Sequence, residues 1–188
     1  MLKLNLGSFK DVIPGWVNVD ILPLGQHLPP NITFVQHDLR QPMPFENADL
    51  IRASHIIEHL TLEEGHFFLK DCYRVLKPGG LIRLATPDLT RIVTCYNGHE
   101  FDMAYFNDIQ PKKYIDAPTE GEKFSRLLFS CDYAHRAVYD WPMMRDFLEK
   151  AGFLHIKRRK PGDSWNIDMQ TQATDQHVKV SLYVEAIK

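Results

Sequence analysis

Leu2-Lys3-Leu4-Asn5-Leu6-Gly7, then Pro14-Gly15-Trp16-Val17-Asn18-Val19-Asp20, set the terms on which the rest of the chain is read. Each stretch is a short apolar run that ends on a small or acidic residue. Such a run is too brief for a helix and suits a buried strand. Only Ser8 to Gly15 lies between the two, and Pro14-Gly15 marks a turn, so a full crossover helix does not fit there. The same pattern continues downstream. Ile32 to Val35 runs toward Asp38, Leu50 to Ala53 ends at Ser54, and Leu81 to Ala85 ends at Thr86. In an open α/β sheet the carboxyl ends of the strands line the ligand crevice. The expected fold is therefore α/β: a Rossmann-like, mostly parallel sheet of about seven strands with a shortened first crossover.

Between the strands the helices carry their own punctuation. Thr61-Leu62-Glu63-Glu64 has the form of a capping box, and Phe68, Cys72 and Leu76 follow at helical spacing. Lys77-Pro78-Gly79-Gly80 reads as the stop and turn after that helix, a structural role rather than a ligand loop. Thr86-Pro87 resembles an N-cap followed by a first-turn proline, opening a helix through about Cys95. Asp140 is placed to cap a helix from Trp141 to Ala151, ended by Gly152, with Trp141, Met143 and Met144 in the core. Phe153 to Arg158 and Val178 to Ala186 are closing strands that pair as a hairpin. The segment 99–139 is long and mixed, helical over Thr119 to Phe129, and is expected to be a lid or acceptor-binding insertion in a single domain spanning 1–188.

Composition bounds the function. The 188 residues suit one compact domain, 44% hydrophobic and 24% charged. There is no apolar run of membrane-spanning length and no signal-like N-terminus. A net charge of −2 offers no general attraction to a phosphate backbone, so nucleic acid is not the expected partner. The basic run Lys157-Arg158-Arg159-Lys160 reads as a solvated strand end. Cys72, Cys95 and Cys131 form neither metal spacing nor a disulfide framework, which fits a cytoplasmic protein.

The strand ends also suggest a chemistry. Gly7 lets backbone approach a ligand closely, Asp20 is placed to accept from ribose hydroxyls, and Asp38 could accept from an adenine amine. Ser54 and His55 open onto the reacting end. One glycine turn and two acids suit an adenosine without phosphates; a pyrophosphate would want several glycines and a helix N-terminus, which disfavours an NAD-dependent enzyme.

With Leu4-Asn5-Leu6-Gly7 and Pro14-Gly15-Trp16-Val17-Asn18-Val19-Asp20, three later stretches carry a resemblance. They are Ser54-His55-Ile56-Ile57-Glu58-His59-Leu60, Arg74-Val75-Leu76-Lys77-Pro78-Gly79-Gly80 and Phe147-Leu148-Glu149-Lys150-Ala151-Gly152-Phe153. In that order and spacing the chain resembles class I S-adenosylmethionine-dependent methyltransferases, and more narrowly the small bacterial, methyltransferase type 11-like group. His135-Arg136, Tyr139-Asp140 and Ser181-Leu182-Tyr183-Val184-Glu185-Ala186 extend the likeness over nearly the whole chain. The resemblance implies S-adenosylmethionine as cofactor. It places the methionine end at Asn5, Gly7 and Ser8, the ribose at Asp20 beside Ile21, and the adenine at Asp38-Leu39, with Ser54 and His55 flooring the crevice. One departure stands out: Phe9 occupies a position where the family has a second glycine, so its side chain either swings away or narrows the methionine pocket.

Two further patterns need weighing. His55-Ile56-Ile57-Glu58-His59 matches the His-x-x-Glu-His of inverted zinc peptidases. That chemistry needs both histidines on one helical face, whereas His55 directly follows a strand and the capping box starts the helix after His59, so no metal is expected and a zinc-dependent hydrolase is the remote reading. His135 and His55 are the candidate catalytic residues. His135 could deprotonate a hydroxyl acceptor, or serve only as a structural histidine before the next helix. The expected function is methyl transfer to a small molecule or saccharide, the alternative being a degenerate, non-catalytic adenosyl-binding protein.

Overall fold

The computed structural model describes residues 1–23, 30–98, 117–129, 135–170, 178 and 180–188. Seven strands form one sheet: β1 (Lys3–Leu6), β2 (Val17–Asp20), β3 (Thr33–Gln36), β4 (Ala48–Ser54), β5 (Leu76–Pro87), β6 (Leu154–Arg159) and β7 (Ser181–Ile187). Their spatial order is β3-β2-β1-β4-β5-β7-β6. The first five run parallel, and β7 is antiparallel to both β5 and β6. The expected hairpin of the last two strands is thus inserted with β7 inside and β6 at the edge.

Four helices are described: α1 (Leu62–Val75), α2 (Leu89–Gly98), α3 (Glu120–Phe129) and α4 (Trp141–Ala151). The capping box of α1 is present in full, with Thr61 Oγ1 accepting from Glu64 N–H at 3.2 Å and Glu64 Oε2 accepting from Thr61 N–H at 2.8 Å. Asp140 caps α4 through Met143 N–H at 2.9 Å, and Gly152 ends it in the left-handed conformation that favours glycine. Two boundaries differ from the expectation. Lys77 to Gly80 belong to β5, because Gly79 N–H and Gly80 C=O pair with the backbone of Lys188 and prolong the ladder. Thr86-Pro87 end that strand rather than cap α2; Asp88 takes over, accepting from Thr90 N–H at 3.0 Å. The helical part of the 99–139 segment appears as α3, while 99–116 and 130–134 lie outside the described residues.

The two faces of the sheet differ in kind. On one, Leu4, Leu6, Val19, Ile51, Ile82, Leu84, Leu182 and Val184 pack with Phe68, Leu69 and Cys72 of α1 and with Met144, Phe147 and Leu148 of α4. Trp141 and Met143 pack against this core as expected. No helix occupies 8–16 or 37–47, so the links after β1 and β3 are loops. On the opposite face an apolar cluster of Trp16, Leu50, Leu81 and Met169 is followed by a buried polar row.

That row crosses five adjacent strands in register: Asn18, Asn5, Arg52, Arg83 and Glu185. Arg52 Nη1 donates to Asn5 Oδ1 at 2.6 Å, and Asn5 Nδ2 donates to Asn18 Oδ1 and to the Asp11 carbonyl at 2.9 and 2.8 Å. Asn18 in turn bonds the backbone of Ile13, Trp16 and Thr33. At the other end Glu185 accepts from Arg83, Arg159, Ser164 and Trp165 N–H. Side chains here satisfy the loops that stand where crossover helices would otherwise cover the sheet. The basic run is likewise engaged rather than simply solvated: Arg159 lies 3.9 Å from the Trp165 ring centroid and bonds Glu185, and Arg158 bonds Asp88 at 2.6 Å.

Candidate active site

One row nearer the carboxyl ends, the register sets the candidate residues side by side. Leu6 pairs with Val19 and with Ala53, which brings the Gly7 turn between Asp20 and Ser54. Asp20 pairs with Gln36, and His37 N–H still bonds the Asp20 carbonyl at 2.8 Å, so the chain leading to Asp38 leaves from the same edge. Gly7 has φ +66°, and a Cβ there would lie 2.7 Å from Ile56 Cγ1, so both conformation and space require glycine. Gly7 and Ser8 N–H both bond the Val19 carbonyl, which closes the turn against β2.

Phe9 takes the glycine-like conformation itself, at φ +41°, and the residue is 46% exposed. The side chain swings outward, and its backbone N–H donates to Asp20 Oδ2 at 2.8 Å. Asp20 Oδ1 accepts from Leu22 N–H at 2.9 Å. The acid after β2 therefore ties together the turns after β1 and β2, and each oxygen keeps lone-pair capacity for a further donor. Ile21 beside it is half exposed. Asp38 is clasped by Arg40, whose Nε and Nη2 donate at 2.9 and 2.7 Å, and this pairing holds the carboxyl below its ordinary range. Leu39 is buried in the core.

Asn5 does not join this edge. It is fully buried one row below, and its amide is committed to Arg52, Asn18 and Asp11, so its side chain is sequestered from any ligand in the crevice. Ser8 Oγ and Ser54 Oγ are the reverse case: both are buried and meet no hydrogen-bond partner among the described residues. Buried polar atoms are rarely left so, and two orphan hydroxyls flanking the Gly7 turn fit a polar group held there. The residues at this edge thus suit the methionine and ribose parts of S-adenosylmethionine, with the adenine requiring either the Leu39 backbone or release of Asp38 from Arg40.

Beyond Ser54 the chain enters a second cluster. His55 sits at φ +53°, a left-handed conformation rare for a bulky residue and concentrated at functional sites. Its Nδ1 lies 2.9 Å from Glu58 Oε1 and its Nε2 2.8 Å from Ser181 Oγ, so the ring bridges the end of β4 to the start of β7. A single 3-10 turn, Ile57–His59, follows, so His55 and His59 share no α-helical face, which removes the geometry of the His-x-x-Glu-His peptidase pattern.

The Glu58 carbonyl accepts from Arg136 and Ala137 N–H at 2.7 and 3.1 Å, docking the strand of chain that carries His135 against this turn. The His59 and His135 rings then meet edge to face, 5.0 Å between centroids. Thr86 Oγ1 donates to the second Glu58 oxygen at 3.3 Å. Burial pushes the Glu58 carboxyl upward, but the surrounding histidines, His55 foremost, more than offset this and hold it below its ordinary value. Burial pushes His135 down to about 4, so its imidazole is neutral at pH 7. Tyr139, buried and near Glu58, is pushed well above the ordinary phenol range.

Glu58, Thr86 and Ser181 were not singled out as site residues from the sequence. Glu58 was visible only as part of the peptidase pattern and of the Ser54–Leu60 stretch, with no role of its own, and nothing local announces that β7 returns to His55.

A methyltransferase-domain family profile matches residues 20–84. No curated protein matches the chain in sequence. A S-adenosylmethionine-dependent methyltransferase from Archaeoglobus fulgidus superposes with a TM-score of 0.58 at 16% identity, over 99% of this chain and 85% of that one. Another, from Mesorhizobium loti, gives 0.55 at 14% identity, over 100% and 90%. Human N-acetylserotonin methyltransferase in complex with S-adenosylmethionine gives 0.57 at 14% identity; all of this chain is covered, but only 47% of that longer one. At such identities the likeness is one of fold.

Proposed function

We propose that this chain is a class I S-adenosylmethionine-dependent methyltransferase, a reading supported by its fold and by the methyltransferase-domain match over 20–84, and that it transfers a methyl group to a small molecule or saccharide acceptor. The observation that carries the reading is the shared edge: the Gly7 turn, Asp20 and Ser54 sit on three adjacent strand ends, with His55 next along the chain. Bound there, the cofactor supplies a methyl on a positive sulfur that is already a good leaving centre, so alignment and exclusion of water provide most of the rate.

The chain's own residues divide the remaining work. Gly7 and Ser8, with Ser54, hold the methionine end; Asp20 offers its spare lone pairs to the ribose; Asp38 and Leu39 border the adenine. His135, kept neutral, can take a proton from a hydroxyl acceptor, and the Glu58 carboxylate nearby stabilises the imidazolium that forms. His55, hydrogen-bonded at both ring nitrogens, positions Glu58 and the floor of the crevice. The chain works as a single domain, and Cys72 and Cys95, buried and outside any disulfide among the described residues, suit the reducing cytoplasm.

Transfer of a labelled methyl from S-adenosylmethionine across panels of hydroxyl, amine and saccharide acceptors tests this. Turnover on one class, lost in Asp20→Ala, supports the reading. Tight cofactor binding with no turnover on any class supports the degenerate adenosyl-binding form instead, and no binding at millimolar cofactor overturns both.

A further inference from the structure

We propose that Glu58, His59 and His135 form a binding site for one transition-metal dication of the Zn2+ or Co2+ class. One ligand atom from each of the three lies within 4.8 Å of the other two. Around an ion with bonds of about 2.1 Å, tetrahedral donors stand about 3.4 Å apart, so modest side-chain rotation closes the set. Two imidazoles and one carboxylate are a donor set of borderline softness, which selects these ions over Mg2+ and Ca2+, whose sites are built from oxygen.

Three further features support the assignment. Among the described residues, His135 Nδ1 is buried and meets no hydrogen-bond partner, a state expected of a nitrogen reserved for a ligand. Glu58 is 1% exposed yet is oriented from both sides, by His55 at one oxygen and Thr86 at the other, as carboxylate ligands are held by outer partners. His59 and His135 are only partly buried, so an ion can enter and retain open positions. Those positions lie by the carboxyl ends of β4 and β5, where they can take water or an acceptor oxygen. His55 belongs to the outer ring in this arrangement, so the ligand set is not that of the peptidase pattern.

The site is geometric and does not depend on the cofactor reading; with an ion held, His135 and Glu58 are its ligands, and the base role given to His135 above belongs to the metal-free protein. Protein purified without a histidine tag and stripped with chelator would be titrated calorimetrically with Zn2+, and with Co2+ followed by visible absorption. The expected result is one ion per chain at micromolar affinity or tighter, a Co2+ spectrum of low coordination number, and at least ten-fold weaker binding in His135→Ala and His59→Ala, with His66→Ala unchanged. Absence of stoichiometric binding, a Co2+ spectrum indistinguishable from the aqueous ion, or unaltered affinity in folded His135→Ala would overturn the proposal. If a variant fails to fold, the wild-type Co2+ spectrum decides. S-adenosylmethionine titrated into the same stripped protein keeps the two readings apart, since cofactor binding without metal binding defeats only the metal site.

Discussion

Replacing Asp20 by Asn separates two tasks that the structure assigns to one carboxylate. Asp20 is 7% exposed and accepts from Phe9 N–H at 2.8 Å and Leu22 N–H at 2.9 Å. Asn preserves shape but supplies one acceptor oxygen; its amide nitrogen then faces a backbone donor it cannot satisfy. A hydrogen bond to a charged group contributes about 1.5–3 kcal/mol, and a buried orphan donor costs about 1–3 kcal/mol. These overlap rather than add, so Asp20→Asn should lower stability by about 2–3 kcal/mol in urea unfolding followed by circular dichroism. The same change should weaken S-adenosylmethionine binding by about 1–3 kcal/mol, roughly 5- to 150-fold, in calorimetry below the unfolding transition. Stability within about 0.5 kcal/mol of the parent would refute the account of Asp20 as the tie between the two turns. Unchanged affinity in the folded variant would refute the ribose placement.

Three other outcomes follow from the packing and the buried charges. Glu185→Leu removes the common acceptor of Arg83, Arg159, Ser164 and Trp165, and should cost about 3–5 kcal/mol in the same urea assay; a cost below about 1 kcal/mol would show the polar row to be dispensable. A Cβ at Gly65 would lie 2.7 Å from the buried Tyr139 hydroxyl, so Gly65→Ala should cost about 1–3 kcal/mol, and Tyr139→Phe, which removes a buried hydroxyl with no partner among the described residues, should recover most of it in the double variant. In chelator-stripped protein, His135 binds its proton near pH 4 when folded and near 6.5 when unfolded, so stability should be level above pH 6.5 and fall as pH drops toward 4. Glu58 favours the His135 imidazolium while His59 and His55 oppose it, and desolvation exceeds all three. The loss should reach about 3 kcal/mol and be absent in His135→Gln, whereas the same slope in both proteins would contradict the assignment.

The parallel strands, the caps of α1 and α4 and the adjacent strand ends were legible because they rest on local rules: apolar runs ending on Gly7, Asp20 and Ser54, a capping box at Thr61, an acid at Asp140. The polar row was not legible. Asn5, Asn18, Arg52, Arg83 and Glu185 each look like an interruption within a strand, and only the register between strands joins them into a network. Asn5 shows the difficulty: its neighbours in sequence are candidate site residues, while its side chain bonds Arg52 and Asn18 one row below them. Phe9 posed the opposite difficulty. Its size argued for obstruction, yet the Asp20 bond to its N–H compensates a left-handed backbone and leaves the ring outside. The meeting of Glu58, His59 and His135 depends on contacts between residues 58 and 136–137, a separation that periodicity does not reach.

Titration of S-adenosylhomocysteine into the wild-type protein by isothermal calorimetry addresses the claim on which the rest depends. One site per chain with a dissociation constant in the micromolar range is predicted, weakened in Asp20→Asn. No heat of binding at millimolar ligand, from protein shown to be folded, would mean that the row of strand ends from Asp38 to Ser54 is not an adenosyl site.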